Sequence, residues 1–370
     1  MTGLGALGSA VIVPGGTQWA TRFFFIFLDR AMRAQVRTCA GKFPCPAESL
    51  DILRDWLPQG KKAAVCFTID DIHPGKSSDL YEAGGDLDAG ALGQVHWLLK
   101  RHPQLWVTLF TTADWRETSP VPTLKMLAKN PYLRDKLYLT ELHPVGTMRL
   151  GRHPEFVAYL KSLPRTELAF HGLHHIHKGP KVLVEFQNDL SLEECRAIVG
   201  EMIAVFEEAG LKYARGMNPP GWEFPPHLAT AMIEAGLIFV SSARDIRTPI
   251  SPDAVTAMSG LTGRSLIFPE RICDGKLVHF TANFQATSRI ERAFEIIDQG
   301  GLLNIKAHII KNACGYIMLD GVDELYCNYL DLLFSELERR YGDALWWTSV
   351  GAIAERMMSR DGRAAQPAGS

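Results

Sequence analysis

Short apolar segments that predict buried strands alternate with amphipathic helical segments about seven or eight times along the chain. The first confident strand covers residues 63–69, and the clearest helix follows the capping box Ser191-Leu192-Glu193-Glu194 and stops at Gly210. Such alternation favours parallel strands with helices packed outside them. Because the chain has neither a glycine-rich dinucleotide turn nor a P-loop, it favours a closed, TIM-like α/β barrel over an open nucleotide-binding sheet.

The composition is that of a globular protein with no strong charge bias. Charged residues make up 22% and hydrophobic residues 46% of the 370 residues, and the formal net charge is −2. This balance gives no reason to expect nucleic acid or an anionic membrane as a partner. The most apolar run, Phe23–Leu28, is far shorter than the roughly 18 residues of a membrane span. We expect no transmembrane segment, no signal peptide and, from seven scattered cysteines, reduced thiols in the cytoplasm.

The alternation predicts one catalytic domain over residues 61–358. Residues 1–60 would form an extension that packs on the barrel, and residues 359–370 a small, polar, disordered tail. The segment 112–165 contains six prolines and is less regular than the rest. We interpret it as an insertion with short helices that lies over the strand ends.

Two adjacent carboxylates, Asp70 and Asp71, follow the first predicted strand. Ligands of α/β folds bind at the carboxyl ends of the strands, so these side chains indicate a binding site. Adjacent acids repel each other unless a positive partner lies beside them. A divalent metal ion is the simplest such partner.

Four histidines lie between His171 and His177, directly after the third predicted strand. His171 and His175 are four residues apart, and in a helical turn this spacing puts both imidazoles on one face, within reach of one metal ion. With Asp71 they make a two-histidine-one-carboxylate set that leaves positions open for water and substrate. The HxxxH pattern alone is more often a surface helix, but together with the acid pair it predicts a metal site.

Two further strand ends carry polar or aromatic groups that we expect at the same rim. The segment Asn218–Trp222 follows a strand, and its prolines and glycine predict a rigid loop. Trp222 is either a platform for an apolar or sugar-ring face or a core residue. His308 follows the strand 302–307 and is a candidate general acid.

Five residues are candidate substrate contacts in this interpretation: Asn218, Pro220, Trp222, His73 and Trp115. His73 comes just after the acid pair and is either a substrate contact or an ordinary loop histidine. Trp115 lies in the predicted insertion, and the same two alternatives apply to it.

The motifs, in this order, resemble those of the polysaccharide deacetylase family, which is carbohydrate esterase family 4 and contains the NodB-homology domain. The matching segments are Thr68-Ile69-Asp70-Asp71 for T-F-D-D, His171 to His175 for H-(S/G)-x-x-H, Asn218-Pro219-Pro220-Gly221 for an R-x-P-x-G-like motif, and Ile305-Lys306-Ala307-His308 for L-x-x-H. The first two motifs are specific as a pair, and the last two are weak individually. The resemblance covers about residues 60–358 and implies a divergent member with the family's distorted TIM-like (β/α)7 barrel.

The resemblance also implies a role for each residue of the predicted site. Asp70 would be the general base and His308 the general acid. The resemblance gives Asp71, His171 and His175 as ligands of a divalent ion, with Zn²⁺ first and Co²⁺, Ni²⁺, Mn²⁺ or Fe²⁺ as alternatives. The implied reaction is the hydrolysis of an N-acetyl group.

The chain departs from the family's pattern at the residue that would hold the base. The family has an arginine where this chain has Asn218, and Arg215, on the preceding extended strand, should face away from the site. We therefore expect an amide hydrogen bond rather than a cation to hold Asp70. The long gap between the first two motifs fits an inserted lid and an altered substrate, and the family's D-x-x-D-W-type motif has no clear equivalent.

The sequence thus predicts a metal-dependent deacetylase for a small amino-sugar compound, such as a nucleotide sugar, a glycoside or an antibiotic or saccharide precursor. The apparent lack of a secretion signal argues against cell-wall polymers as substrates. One alternative is hydrolysis of another C–N bond, in a cyclic amide or ureide. The other is a catalytically inactive binding protein, which Asn218 favours and which the acid pair, the histidine pair and His308 disfavour.

Overall fold

The computed structural model describes residues 56–77, 84–116, 142–176, 185–310, 312–313, 316–317 and 319–360. Most of the predicted N-terminal extension, the middle of the predicted insertion and the tail beyond residue 360 lie outside these residues. The expectations for those segments stay predictions.

The strands are numbered here in chain order. They are β1 Ala63–Ile72, β2 Val107–Thr111, β3 Thr166–Phe170, β4 Gly216–Met217, β5 Phe239–Arg244, β6 Ser259–Gly260, β7 Glu270–Ile272, β8 Leu277–Ala282, β9 Leu302–His308, β10 Asn312–Ala313, β11 Tyr316–Ile317 and β12 Leu345–Trp347. All ten residues of β1 are buried, as expected for a strand covered on both faces.

Seven strands form a ring of parallel pairs. From β1 the successive partners are β2, β3, β4, β5 and β8, while β9 pairs with the other edge of β1. Between β8 and β9, the described residues form one isolated bridge, Phe284 with Ile305, and two neighbouring backbone hydrogen bonds. The sheet is therefore not a continuous closed ladder, and the predicted distorted (β/α)7 barrel is confirmed in this form.

The helices of the described part of the chain alternate with groups of these strands along the sequence, and the last helix follows β12. They are α1 Ala91–Arg101, α2 Pro154–Ser162, α3 Leu192–Glu208, α4 Pro226–Glu234, α5 Ile290–Asp298, α6 Glu324–Tyr341 and α7 Val350–Arg360. Helix α3 begins directly after the predicted N-cap residue Ser191, and the side chains of Ser191 and Glu194 each accept a backbone N–H of the other residue. None of the described helices is long and apolar enough to cross a membrane.

The apolar segment 266–268, for which the sequence pattern predicts a short strand, is not a strand in the described structure. Leu266–Phe268 is apolar and buried, as a strand would be, but it forms a bend between β6 and β7. The hydroxyl of Ser265 accepts the backbone N–H of Phe268 at 3.0 Å, which turns the chain locally. The apolar run therefore predicted the burial of this segment correctly and its strand conformation wrongly.

The described end of the N-terminal extension is held against α7. Trp56 and Leu57 are buried in a cluster that includes Ile353 and Met357. The guanidinium of Arg356 donates to the carbonyl oxygens of Trp56 and Leu57 at 2.9 and 3.0 Å. These contacts satisfy two backbone acceptors before β1 begins.

His279 on β8 is a buried histidine far from any predicted catalytic role, with 1% exposure. Burial lowers its pKa to about 3, the charge of Arg264 acts in the same direction, and a hydrogen bond with the backbone of Ser242 opposes both. An unfolded histidine has a pKa of about 6.5. In mild acid the unfolded chain therefore binds a proton at this ring that the folded chain does not.

We expect His279→Gln to reduce the acid sensitivity of the fold. Between pH 6.5 and 3, His279 lowers the wild-type free energy of unfolding by up to about 1.4 kcal/mol per pH unit. Glutamine keeps a donor for Ser242 and does not titrate. Urea unfolding of both proteins at pH 7 and pH 5 measures the effect. An equal loss of stability in the two proteins would contradict the prediction.

Candidate metal centre

A bulge in β1 brings the two adjacent carboxylates to one site. Neighbouring side chains of a regular strand point to opposite faces. Between Ile69 and Ile72, however, β1 has one more residue than β2, and Asp71 takes a left-handed conformation with φ 64°. Asp70 and Asp71 are consequently both buried, and each has an oxygen 3.9 Å from Nε2 of His308.

Two imidazole nitrogens converge on one carboxylate oxygen. Nε2 of His171 and Nε2 of His175 lie 3.0 and 3.1 Å from Oδ1 of Asp71. Nδ1 of His171 is 2.6 Å from the carbonyl oxygen of Asn218, so Nδ1 carries the proton that it donates there, and Nε2 is directed at Asp71. The predicted two-histidine-one-carboxylate set is therefore assembled.

The geometry of this set fits a divalent cation. Ligand atoms around a tetrahedral zinc ion with bonds of about 2.0–2.1 Å are roughly 3.3 Å apart. The observed separations of 3.0 and 3.1 Å lie close to that value. A set of two imidazole nitrogens and one carboxylate oxygen is also typical of catalytic zinc sites.

The loop that carries the two histidines is not helical, which corrects the expected helical turn. Residues 171–176 form a bend, Gly172 has φ 78° and His175 has φ 52°. The left-handed conformation of Gly172 explains why a glycine is needed there, since a Cβ would meet the carboxylate of Glu185 and the ring of Pro220. The two imidazoles thus meet through a folded loop rather than through helical periodicity.

Glu185 fixes the conformation of this loop, a role that the sequence did not predict. Its buried carboxylate accepts the backbone N–H groups of Leu173 at 3.0 Å, His174 at 2.8 Å and His175 at 3.4 Å. Three donors on one carboxylate fix the conformation that the imidazoles need. No local sequence pattern marks Glu185, because it lies in a loop and acts on another segment.

Charges within the ligand set shift the ionisation of its members. Burial raises the pKa of Asp71, but the charge of His175 and the hydrogen bonds from both histidines outweigh it and hold that pKa well below its usual range. Burial lowers the pKa of His171, while its bond to Asp71 and the charges of both carboxylates produce a net rise. Binding of a cation here is therefore coupled to the release of a proton.

Asp70 is held by an amide and by a cation. Nδ2 of Asn218 donates to Oδ1 of Asp70 at 2.8 Å, as the sequence led us to expect. Nζ of Lys306 lies 2.9 Å from Oδ2, which corrects the expectation that no cation holds this carboxylate. Arg215 faces away, as predicted, and pairs with Glu355 at 3.0 Å.

His308 lies opposite the acid pair, and a carboxylate contacts the other side of its ring. Its Nδ1 is 3.1 Å from Oδ2 of Asp320, a residue that the sequence analysis did not single out. Burial raises the pKa of Asp320, but the charges of His308, Lys306 and Arg244 outweigh it and hold the pKa well below its usual range. Asp320 reaches this position because the residue after it, Gly321, forms a parallel bridge with His308.

The aromatic candidates occupy two different positions. Trp115 is stacked between His73 and His175, with ring centroids 4.2 and 4.6 Å away. Trp115 and His73 are each 1% exposed, so they pack behind His175, and burial lowers the pKa of His73 to about 3. Trp222 is half-buried, with Nζ of Lys306 4.7 Å from its ring centroid.

Solved structures that resemble the chain do so at low sequence identity, and no protein-family model and no curated protein matches it. A "putative polysaccharide deacetylase" from Mycobacterium smegmatis is 17% identical, with 82% of this chain and 93% of that chain covered and a TM-score of 0.48. Puue allantoinase is 13% identical, with coverages of 87% and 96% and a TM-score of 0.47. A CE4 family pseudoenzyme from Bacillus anthracis is 11% identical, with coverages of 80% and 66% and a TM-score of 0.39.

These similarities are distant, with identities between 11% and 17%. Proteins described as a polysaccharide deacetylase and as a CE4 pseudoenzyme are thus among the solved structures that the chain resembles, as its motifs predicted.

Proposed function

We propose that the chain is a divergent, metal-dependent deacetylase that removes an N-acetyl group from an amino-sugar compound. One observation carries the proposal. Asp70 lies next to the Asp71–His171–His175 set, yet its own oxygens are held by Asn218 and Lys306 instead of the histidines. A carboxylate that borders a metal site without being one of its ligands is suited to act as a general base.

Asp71, His171 and His175 would hold the divalent ion. Zn²⁺ is the first candidate because imidazole nitrogen and carboxylate oxygen are its usual ligands, and Co²⁺, Ni²⁺, Mn²⁺ and Fe²⁺ accept the same donors. When bound, such an ion supplies a Lewis acid and can lower the pKa of a coordinated water to about 7. The Glu185 carboxylate keeps the histidine loop in the conformation that this set requires.

Asp70 is placed to receive a proton from the attacking water. A carboxylate offers about four acceptor positions, and the described contacts of Asp70 use one on each oxygen. The remaining positions can accept a water O–H. The two donors also prevent the side chain from rotating away, so the base keeps one orientation.

His308 is placed to pass a proton to the departing amine once its Nε2, which accepts from the Lys306 ammonium at 2.8 Å, has received one. Asp320 holds Nδ1 of the ring, which directs Nε2 toward Asp70 and Asp71. An amine leaves poorly as an anion, so a proton donor on this side is needed. A positioned acid or base typically contributes about 10²–10⁴-fold to the rate.

The identity of the substrate is the part of the proposal that comes from the family resemblance, because a fold does not determine a substrate. Trp222 is the aromatic candidate that remains half-buried at the site, and it could support one face of a sugar ring. His73 and Trp115 would act on the substrate only through His175, against which Trp115 packs.

The proposed function is tested by a substrate panel. The zinc-loaded chain is incubated with N-acetylated monosaccharides, nucleotide sugars and glycosides, and with cyclic amides and ureides, and the release of amine and acetate is measured. Acetate release from an N-acetylated sugar that stops with a chelator supports the proposal. Hydrolysis of the cyclic compounds alone would replace it, and a metal-loaded chain without any turnover would indicate a binding protein.

We expect His171→Ala to abolish stoichiometric metal binding, since it removes one of three ligands. His174→Ala is the matched control, because His174 lies in the same loop but its Nδ1 is 2.9 Å from the backbone carbonyl oxygen of Asp114. Metal content per chain after dialysis against zinc measures the effect. One tightly bound metal ion in His171→Ala would exclude the assigned site.

We expect Asp70→Asn to retain the metal and to lose turnover by roughly 10²-fold or more, because the base is lost while the ligands stay. Asp189→Asn, an exposed carboxylate, is the control for the substitution. Steady-state rates and metal content are measured on the same preparations. Loss of the metal in Asp70→Asn would show that Asp70 is a ligand rather than the base.

A further inference from the structure

Lys306 is the least exposed cation of the site, and the function proposed above uses only its contact with Asp70. It lies on β9, two residues before His308, so both side chains project from the same face of the strand. Its side chain is 1% exposed. A buried ammonium group is unfavourable unless partners replace its water.

The partners of Lys306 are the two residues proposed to exchange protons with the substrate and water. Its Nζ is 2.9 Å from Oδ2 of Asp70 and 2.8 Å from Nε2 of His308. Asp320, which backs His308, has an oxygen 4.0 Å away. One ammonium group therefore spans the gap between the Asp70 oxygen and the His308 nitrogen, which are themselves 3.9 Å apart.

The position of this ammonium group is fixed by its surroundings. The backbone N–H of Lys306 donates to the carbonyl oxygen of Phe284 at 2.8 Å, and its own carbonyl oxygen accepts the hydroxyl of Tyr326 at 2.8 Å. The ring of Trp222 lies 4.7 Å from Nζ, within the range of a cation–π contact. A strand backbone bonded on both sides and an aromatic face leave the ammonium little freedom.

Stabilisation of the fold does not by itself explain why a lysine is buried at this position. Replacing a buried ion pair by apolar residues of similar size is often neutral or even stabilising. What the ammonium provides is a fixed, two-sided contact between a carboxylate and an imidazole.

We propose that Lys306 is the positioning residue that sets Asp70 and His308 relative to each other. The inference rests on the proposed function for the roles of Asp70 and His308. The part that concerns geometry, namely that the ammonium fixes these two side chains, does not depend on the identity of the substrate.

The test compares Lys306→Met with Lys62→Met in the zinc-loaded chain. Methionine keeps the length of the lysine stem and removes the charge, and Lys62 is an exposed lysine that pairs with Asp298. We expect Lys306→Met to bind one zinc ion per chain, as wild type does, and to lower kcat about 100-fold with KM changed less than threefold. Lys62→Met should match wild type in all three quantities.

A crystal structure of zinc-loaded Lys306→Met gives a readout that needs no substrate. We expect Asp70 or His308 to leave the arrangement in which Oδ2 and Nε2 are 3.9 Å apart. An unchanged arrangement, or a kcat within threefold of wild type, would overturn the inference. Inactivity of the wild-type chain on the whole panel counts against the proposed function instead, and the crystal structure then decides on Lys306 alone.

A second substitution keeps the inference testable if Lys306→Met does not fold. Lys306→Gln retains a hydrogen-bond donor without the charge, and we expect a kcat between those of wild type and Lys306→Met, or about tenfold below wild type when it is measured alone. A kcat equal to that of wild type in Lys306→Gln would overturn the need for a cation at this position.

Discussion

The burial of two adjacent carboxylates at the end of β1 is the constraint on which the rest of the site depends. Asp70 is 2% and Asp71 4% exposed, so water does not screen their repulsion. Each acid is compensated by its own group of partners. Histidines of the loop after β3 serve Asp71, whereas the β9 lysine and the amide of the loop after β4 serve Asp70. Strands that are distant in sequence must therefore meet before either acid can be buried.

The site residues that could be recognised from the sequence are acidic residues and histidines that follow directly after a predicted apolar strand. Asp70, Asp71, His171 and His308 all satisfy this condition. Lys306 carried a signal as well, because the strand alternation puts it on the face of His308, but a lysine within an apolar strand has no chemistry of its own until its neighbours are known. Glu185 and Asp320 lie in loops, and only the tertiary structure brings them to the groups that they hold.

In the histidine loop, the sequence predicted the contact between the two imidazoles correctly, although it predicted the wrong backbone conformation. An i, i+4 spacing limits how far apart two side chains can be, and a helix is one of several ways to bring them together. Here the left-handed residues Gly172 and His175 close the loop, and the carboxylate of Glu185 accepts backbone N–H groups of the loop. The conformation therefore depends on a carboxylate from another segment, which a local pattern does not contain.

The interrupted ladder between β8 and β9 determines which distances in the site are insensitive to breathing of the barrel. Asp70 and His308 are direct register partners in the β1–β9 pair, so a continuous ladder of seven residue pairs joins the strand of Asp70 to that of His308. On its other edge, β9 is joined to the strand before it by one isolated bridge. Opening of the sheet at that edge would widen the barrel while Asp70 and His308 move together.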